Sequence, residues 1–498
     1  MTANYQGKMA RGAVWMILFK WVERGLGFVS TLLLVRLLSP SDFGLVSMAL
    51  SFIFMGELLT AFSFDVALIQ NQHATPAHYN SAWTANLLLG ATITAVMLGL
   101  SVIITRFYNQ PALLPVVCAL SLNPLLGGLE NIGVVAFRKE LDFRKEFAFQ
   151  VSRKVTAFLV TIPLAFWLHS YWALVAGTLA SRLGGTLTSY VVHPFRPRFS
   201  LAEVRSLLRF SKWMLLNNLV NFAKERSSDF VLGRVYGPAP LGIYNVSYEF
   251  ASIPNNEMGA PINRAVFPGL AKMAGDRGAI SRTFANVSGM VALLAVPAGV
   301  GLFAVAPFFV PVVLGEKWLA GLPVLEVLSL NSAVMVCHGT VVTALIATGN
   351  PFQATKTNIL FVIIMLAGML TLPARFGPTG AAYAVAIATL LSTPVYLFQL
   401  RKYVFVPFSN FARVTWRPVL ASAAMALAVR FLLPGYAPGT HSLRAGLILA
   451  GGVASGAAVY AAALLGIWTA MGRPDGAEQQ AWSKIRTRLP AWAGGARE

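Results

Sequence analysis

The stretch Arg36-Leu-Leu-Ser-Pro-Ser-Asp-Phe-Gly44 returns 198 residues later as Arg234-Val-Tyr-Gly-Pro-Ala-Pro-Leu-Gly242. Arg, Pro and Gly keep one register, and the match runs outward on both sides without a gap. Upstream, Trp15-Met16 meets Trp213-Met214, Leu18 meets Leu216, Val22 meets Val220, Ser30 meets Ser228 and Leu34 meets Leu232. Downstream, Phe52 meets Phe250. Apolar segments supply chance matches of Leu and Val, but they are a poor source of Trp-Met, Arg, Pro and Gly in one frame. Pro and Gly at this spacing are what a tight reversal at a membrane surface asks for.

The repeated turn joins two apolar windows of bilayer length, and such windows fill the chain. Apolar types make up 56% of the 498 residues and charged types 12%, where a soluble domain carries about 25% charged. Windows of roughly 20 apolar residues suit a membrane-spanning helix. The first six are Val14–Leu38, Phe43–Phe64, Ala82–Ile104, Leu113–Phe137, Phe147–Leu168 and Trp172–Val192. The next six are Trp213–Val235, Leu241–Ile262, Phe284–Phe309, Leu319–Thr348, Asn358–Ala374 and Gly380–Leu400, and Val414–Leu433 and Leu443–Thr469 close the series. Backbone groups in hydrocarbon must pair within their own segment, so the spans read as helices. The expected fold is an all-α integral membrane protein of about fourteen transmembrane helices. Six spans per repeat is an even number, so both copies enter the membrane from the same side and are related by an axis along its normal. Two pseudo-symmetric six-helix lobes, 1–200 and 201–405, then enclose a central cavity, with helices 13 and 14 at 406–470 and a cytoplasmic tail at 471–498.

A net charge of +20 fits either nucleic acid or an anionic membrane surface, and placement decides. With the N-terminus in the cytoplasm, 27 of the 39 Lys and Arg residues fall on that side, seven on the other and five within spans. This is the positive-inside asymmetry, and no nucleic acid is needed to explain it. Both termini are expected in the cytoplasm. The basic loop Arg138–Lys154 reads either as an amphipathic segment in the headgroup layer or as topology charges at a helix end. Cys118 and Cys337 sit in apolar windows without metal-ligand spacing, as small hydrophobes do. His73, His78, His169 and His193 fall in loops and read as solvated. No phosphate-cradling glycine loop, metal cluster or nucleophile constellation is present, so neither catalysis nor a cofactor is expected.

Charges inside the spans carry the functional reading, because each costs on the order of 2.5–3.5 kcal/mol at the bilayer centre. The first span holds Lys20, Glu23 and Arg24, with Lys20 and Arg24 on one face. The seventh, its repeat partner, holds Lys224, Glu225, Arg226 and Asp229 at nearly the same depth. Two facing lobes presenting Lys20, Arg24, Lys224 and Arg226 make a cationic cavity for an anionic group such as phosphate or uronate, Arg through its planar fork and Lys as a point charge. Glu23, Glu225 and Asp229 serve either ion coupling or plain charge balance. Arg182, Glu57, Glu249 and Glu257 also lie within spans, several near the ends, where side chains snorkel to the interface. Pro254, Asn255 and Asn256 interrupt the eighth span, and Pro163 and Pro297 fall inside others, as at the broken helices of transporters.

Trp15 onward, the Arg36–Gly44 turn and the Phe137–Lys154 basic segment resemble the polysaccharide transporter family, the Wzx-type flippases of the multidrug/oligosaccharidyl-lipid/polysaccharide exporter superfamily. Over roughly the first 400 residues the likeness is greatest to colanic-acid-type exporters, and Leu-Ser-Pro-x-Asp-Phe-Gly is its most specific element. The resemblance implies translocation of an oligosaccharide on an undecaprenyl diphosphate carrier across the bacterial inner membrane, by alternating access, for surface polysaccharide biosynthesis. It also implies membrane lipids, polymerase and chain-length or export machinery as partners, and H+ or Na+ as coupling ion. A multidrug or lipid II exporter would share the fold. A membrane polymerase or ligase is the alternative of a different class; such enzymes carry a large external loop, and here the external loops are short.

Overall fold

Proline starts many of the helices. Pro40, Pro76, Pro238, Pro351 and Pro378 each occupy the first helical position, where a fixed φ suits the helix and the missing N–H would have had no partner. The computed structural model describes residues 21–58, 64–71, 73–140, 142–204, 212–433, 442–474, 476–479 and 483. Among them a helix overlies each expected window, the first from residue 21 on; Lys20 lies outside the described residues. In chain order these are α1 (21–37), α2 (Pro40–Leu58), α3 (Pro76–Tyr108), α4 (Leu113–Gly128 with its continuation Ile132–Lys139), α5 (Phe143–Leu168) and α6 (Trp172–Val192). Then come α7 (Lys212–Tyr236), α8 (Pro238–Ala251, Pro254–Gly259 and Ala260–Lys272), α9 (Arg277–Leu314) and α10 (Glu316–Ala347). The last are α11 (Pro351–Thr371), α12 (Pro378–Val404), α13 (Phe408–Leu432) and α14 (Ser442–Ala470). By length and composition, eight described helices can cross a membrane, or nine when the two parts of α4, bent by 61°, count as one span. The chain is an all-helical, multi-pass membrane protein.

It divides into two compact units, Met1–Gly242 and Ile243–Glu498. In the first, α5 packs along α6, α3 along α4, and α7 against α2. In the second, α9 packs on α10 and α13, α11 on α12, and α13 on α14. The repeat shows in the packing of each unit. Phe52 meets Phe107 edge-on with ring centroids 5.8 Å apart, and in the second unit Phe250 meets Phe309 in the same manner at 5.3 Å.

The repeated Pro and Gly do more than reverse the chain. Gly44 lies inside α2, and a Cβ there would stand 1.8 Å from the Pro238 carbonyl oxygen; a Cβ on Gly242 would stand 1.8 Å from that of Pro40. The two copies of the motif, both within the first unit, thus touch reciprocally, each glycine against the other's proline. Missing side chains let backbones approach this closely in membrane helices. The reversals are made one residue earlier. Gly237 takes φ +80 before Pro238, a left-handed conformation that glycine adopts without a Cβ penalty. At the same repeat position, Ser39 donates its N–H to Asp42 Oδ2 at 2.8 Å. Asp42 Oδ1 also accepts the Tyr171 N–H at 3.0 Å, tying the α1–α2 turn to the α5–α6 turn.

Two other expectations meet a different structure. The segment after Asp142 is helix rather than loop, because the Asp142 carboxylate accepts the Lys145 N–H at 3.3 Å and caps α5; Arg144 to Lys154 therefore ride on α5. Pro163 and Pro297 sit within continuous helix. At Pro254–Gly259, by contrast, α8 widens into a π-turn in which the Ala260 N–H reaches back to the Asn255 carbonyl.

Candidate functional site

The site begins with the close contact of α5 and α6. A Cβ on Gly177 would stand 1.7 Å from Thr161 Oγ1, and one on Gly185 would stand 2.9–3.0 Å from Cγ, Cδ and Nε of Arg153. Gly185 thereby makes room for the stem of Arg153, whose Nη1 lies 3.6 Å from Glu130 Oε2. Glu130 sits at the bend of α4. There the Asn131 N–H donates to Ser189 Oγ at 2.9 Å and Asn131 Nδ2 donates to the Phe195 carbonyl at 2.7 Å, which fix the bend.

Two more ion pairs complete the group. Arg182, midway along α6, places Nη2 3.6 Å from Glu57 Oε1 on α2. Lys154 places Nζ 3.6 Å from Glu23 Oε1 on α1. Three cations and three carboxylates thus link five helices of the first unit. The three cations border a cavity of about 620 Å³, lined by Arg153, Lys154 and Arg182 together with Asn123, Thr178 and Ser181. A second hollow of about 280 Å³ shares Arg153 and Arg182 and adds Asp65, Arg138 and Glu146. Arg138 holds the last group together, 3.3 Å from Asp65 and 3.8 Å from Glu146.

The distances matter for chemistry. A charge-assisted N–H···O bond runs about 2.7–2.9 Å, so pairs at 3.6 Å are attracted without a close hydrogen bond. Among the described residues the side chains of Arg153, Lys154 and Arg182 donate no hydrogen bond. Their charges are balanced and their donors are spare.

Of the cations expected on the first and seventh spans, Arg24 and Lys224 are partly buried, and Lys20 is not described. Glu23 turns to Lys154 rather than serving its own helix alone. Arg226 lies 3.4 Å from Asp229, one turn on, and Asp229 is 1% exposed. The Arg226 guanidinium also stacks 4.5 Å above Phe54, a wall residue of the larger cavity. Glu225 is exposed. His73 and His169 are exposed, as expected, whereas His78 and His193 are partly buried. His78 lies in the first turn of α3, 3.6 Å from Glu203. His193 stacks edge-on with Phe137 and accepts the Phe195 N–H, and burial holds its pKa below the ordinary imidazole value.

Arg153, Lys154 and Glu130 escaped the sequence reading, the first two because they were counted with the basic Arg138–Lys154 segment although they fall inside the fifth expected span. The glycine pair Gly184-Gly185 beside Arg182, and a glutamate inside the fourth window, were the signals present. The second repeat does not copy the group: at the same 198-residue shift Glu57 corresponds to Asn255, in the π-turn. In the second unit His338 shares a hydrogen bond with Thr393 at 2.9 Å, and Tyr396 donates to Asn358 Oδ1 at 3.0 Å.

A multi-pass helical unit with a hollow bordered by ion-paired cations is the build of a membrane transporter. The chain belongs to the polysaccharide biosynthesis protein family, which matches residues 33–323. It is 26% identical to lipopolysaccharide biosynthesis protein WzxC of Escherichia coli (strain K12), over 79% of this chain and 81% of that protein. It is 28% identical to succinoglycan biosynthesis transport protein ExoT of Rhizobium meliloti (strain 1021), over 93% and 94% of the two chains. Among solved structures, lipid II flippase MurJ in an inward closed conformation matches with a TM-score of 0.72 at 14% identity, over 92% of this chain and all of that one. At that identity the likeness is one of fold.

Proposed function

We propose that this protein is a flippase that carries lipid-linked oligosaccharide repeat units, built on an undecaprenyl diphosphate carrier, across the bacterial inner membrane for surface polysaccharide synthesis. The observation that carries the reading is the ion-paired hollow of about 620 Å³ inside an apolar helical unit, in a chain of the polysaccharide biosynthesis family. Charged side chains within membrane-spanning helices are costly and mark a substrate or ion path. It is a transporter and not an enzyme on this reading, and polymerisation belongs to partner proteins.

The chain crosses the membrane fourteen times in this proposal, as lobes 1–200 and 201–405 with helices 406–470 appended and both termini cytoplasmic. The polyprenyl tail stays in lipid. The diphosphate is drawn to Arg24, Lys224 and Arg226, and to Lys20, whose donors replace part of its hydration. Glu23, Glu225 and Asp229 balance these charges or carry a coupled H+ or Na+. The two repeats then exchange exposure by alternating access.

Deletion of the gene tests this. Complete, unpolymerised lipid-linked units are expected to accumulate facing the cytoplasm. Units accumulating in the periplasmic leaflet instead would make the protein the polymerase.

A further inference from the structure

We infer that the cytoplasmic ends of α9 and α13 form a binding site for the phosphate headgroup of an anionic phospholipid, with Arg417 as its inner ligand and Glu478 as the chain's own stand-in for that phosphate. The inference is independent of the transported substrate and rests on the proposed topology, which puts residues 471–498 in the cytoplasm.

The stand-in comes from the chain that follows α14. Gly472 and Arg473 take φ +77 and +58, and Trp468 Nε1 donates to the Pro474 carbonyl at 3.1 Å, so the chain reverses there. Ala477 then fills a notch left by a missing side chain. A Cβ on Gly289 of α9 would stand 3.2 Å from that of Ala477 and 3.4 Å from that of Val414 on α13. Glu478 reaches Arg417 from this position, and both are buried.

The seat is poor. Arg417 Nη2 donates to Glu478 Oε2 at 3.3 Å, and the 3.1 Å approach of Nε to Oε1 lacks hydrogen-bond alignment. Arg417 Nε and Nη1 and Glu478 Oε1 make no hydrogen bond among the described residues. A well-formed guanidinium–carboxylate pair makes two parallel bonds of about 2.7–2.9 Å. Buried ions met so incompletely lose more in desolvation than their attraction returns. Buried donors are normally satisfied, so spare donors on a buried guanidinium point to a ligand with more acceptors than one carboxylate. A phosphate has them, and it fits the planar fork.

The surroundings favour a lipid as its source. Arg417 lies three residues inside the expected span Val414–Leu433, near headgroup level. Arg413 is one turn nearer the cytoplasm on the same face, Arg282 is two turns before Gly289 on α9, and Arg473 lies in the reversal; all three are exposed. Against these four arginines stand Glu478 and Asp276, the residue that caps α9. Basic pockets between helices on the cytoplasmic side suit anionic headgroups. A headgroup arriving from the leaflet competes with Glu478 for one guanidinium, and residues 476–479 leave the notch as it binds.

Native mass spectrometry of the purified full-length protein, with phosphatidylglycerol and phosphatidylcholine of the same acyl chains, reads the site. Phosphatidylglycerol should be held about tenfold more tightly, and Arg417→Met should remove most of that preference. Glu478→Gln keeps an acceptor of the same shape without the charge, and should tighten phosphatidylglycerol binding several-fold. Arg413→Gln, an exposed change that leaves the buried pair intact, should weaken it about fivefold. A second measurement follows residues 476–479. With Cys118 and Cys337 replaced by alanine, the thiol introduced by Ala477→Cys should react slowly with a maleimide, and faster once phosphatidylglycerol is added. Equal retention of the two lipids by the wild-type protein, or a preference undiminished by Arg417→Met, overturns the site. Thiol reactivity indifferent to phosphatidylglycerol does the same. Glycerophosphate acting as well as the lipid overturns the lipid in favour of a free phosphate anion. The flippase reading is untouched by each outcome, since the lipid-linked units of the deletion strain decide it.

Discussion

Arg24 follows Glu23 on α1, and Glu23 reaches Lys154 on α5, so removing Arg24 leaves that pair in place. Arg24→Ala is expected to abolish polymer export while the protein level stays unchanged, read by surface polysaccharide and by immunoblot. Unchanged export would remove Arg24 from the substrate path. The charges themselves were legible in the sequence, because a charged side chain in a twenty-residue apolar window is conspicuous. Their partners were not. Arg182 is 125 residues from Glu57, and nothing in either local stretch names the other. Arg153 was harder still, since its place in the membrane depends on where α5 begins, and one capping carboxylate, Asp142, decides that.

At the scale of the element, two contacts invite direct tests. Gly44 has no room for even a methyl group, with a backbone oxygen 1.8 Å from its would-be Cβ, whereas Gly99 on α3 has nothing within 4 Å. Gly44→Ala should cost about 3 kcal/mol or more, since backbone cannot step aside as a side chain can. Gly99→Ala should be neutral. Thermal unfolding of the two purified variants makes the comparison, and equal melting temperatures would refute the crossing. In the second unit, residues 476–479 return to the helices. Glu478 and Arg417 of α13 are 6% and 3% exposed and meet at 3.1 Å, while Ala477 lies beside Gly289 of α9. Glu478→Ala strands a buried guanidinium and should destabilise the protein by about 3–5 kcal/mol. The apolar pair Arg417→Met with Glu478→Leu should recover most of that loss, and a double variant as unstable as the single one would show that the ion pair itself, not a stranded charge, supplies the stability.

For the whole molecule, the positive-inside asymmetry predicts where the termini lie. A fluorescent protein fused after Glu498 should mature and fluoresce, and alkaline phosphatase at the same point should stay inactive; the reverse pattern would invert the topology. Helical class, membrane residence and the two-fold repetition could be read from the chain alone. They follow from local quantities, namely window hydropathy, helix-opening prolines and one motif in two registers, that need no knowledge of what packs on what. The tertiary structure decided which glycines are turns and which are crossings. It also decided that α7 packs with the first unit, and that three carboxylates meet three cations around a hollow. Those outcomes depend on which helix faces lie together, and in a bilayer apolar faces carry little information about their neighbours, because lipid is as apolar as leucine. The rare polar side chains and missing Cβ atoms do the choosing, and their effect exists only once the helices meet.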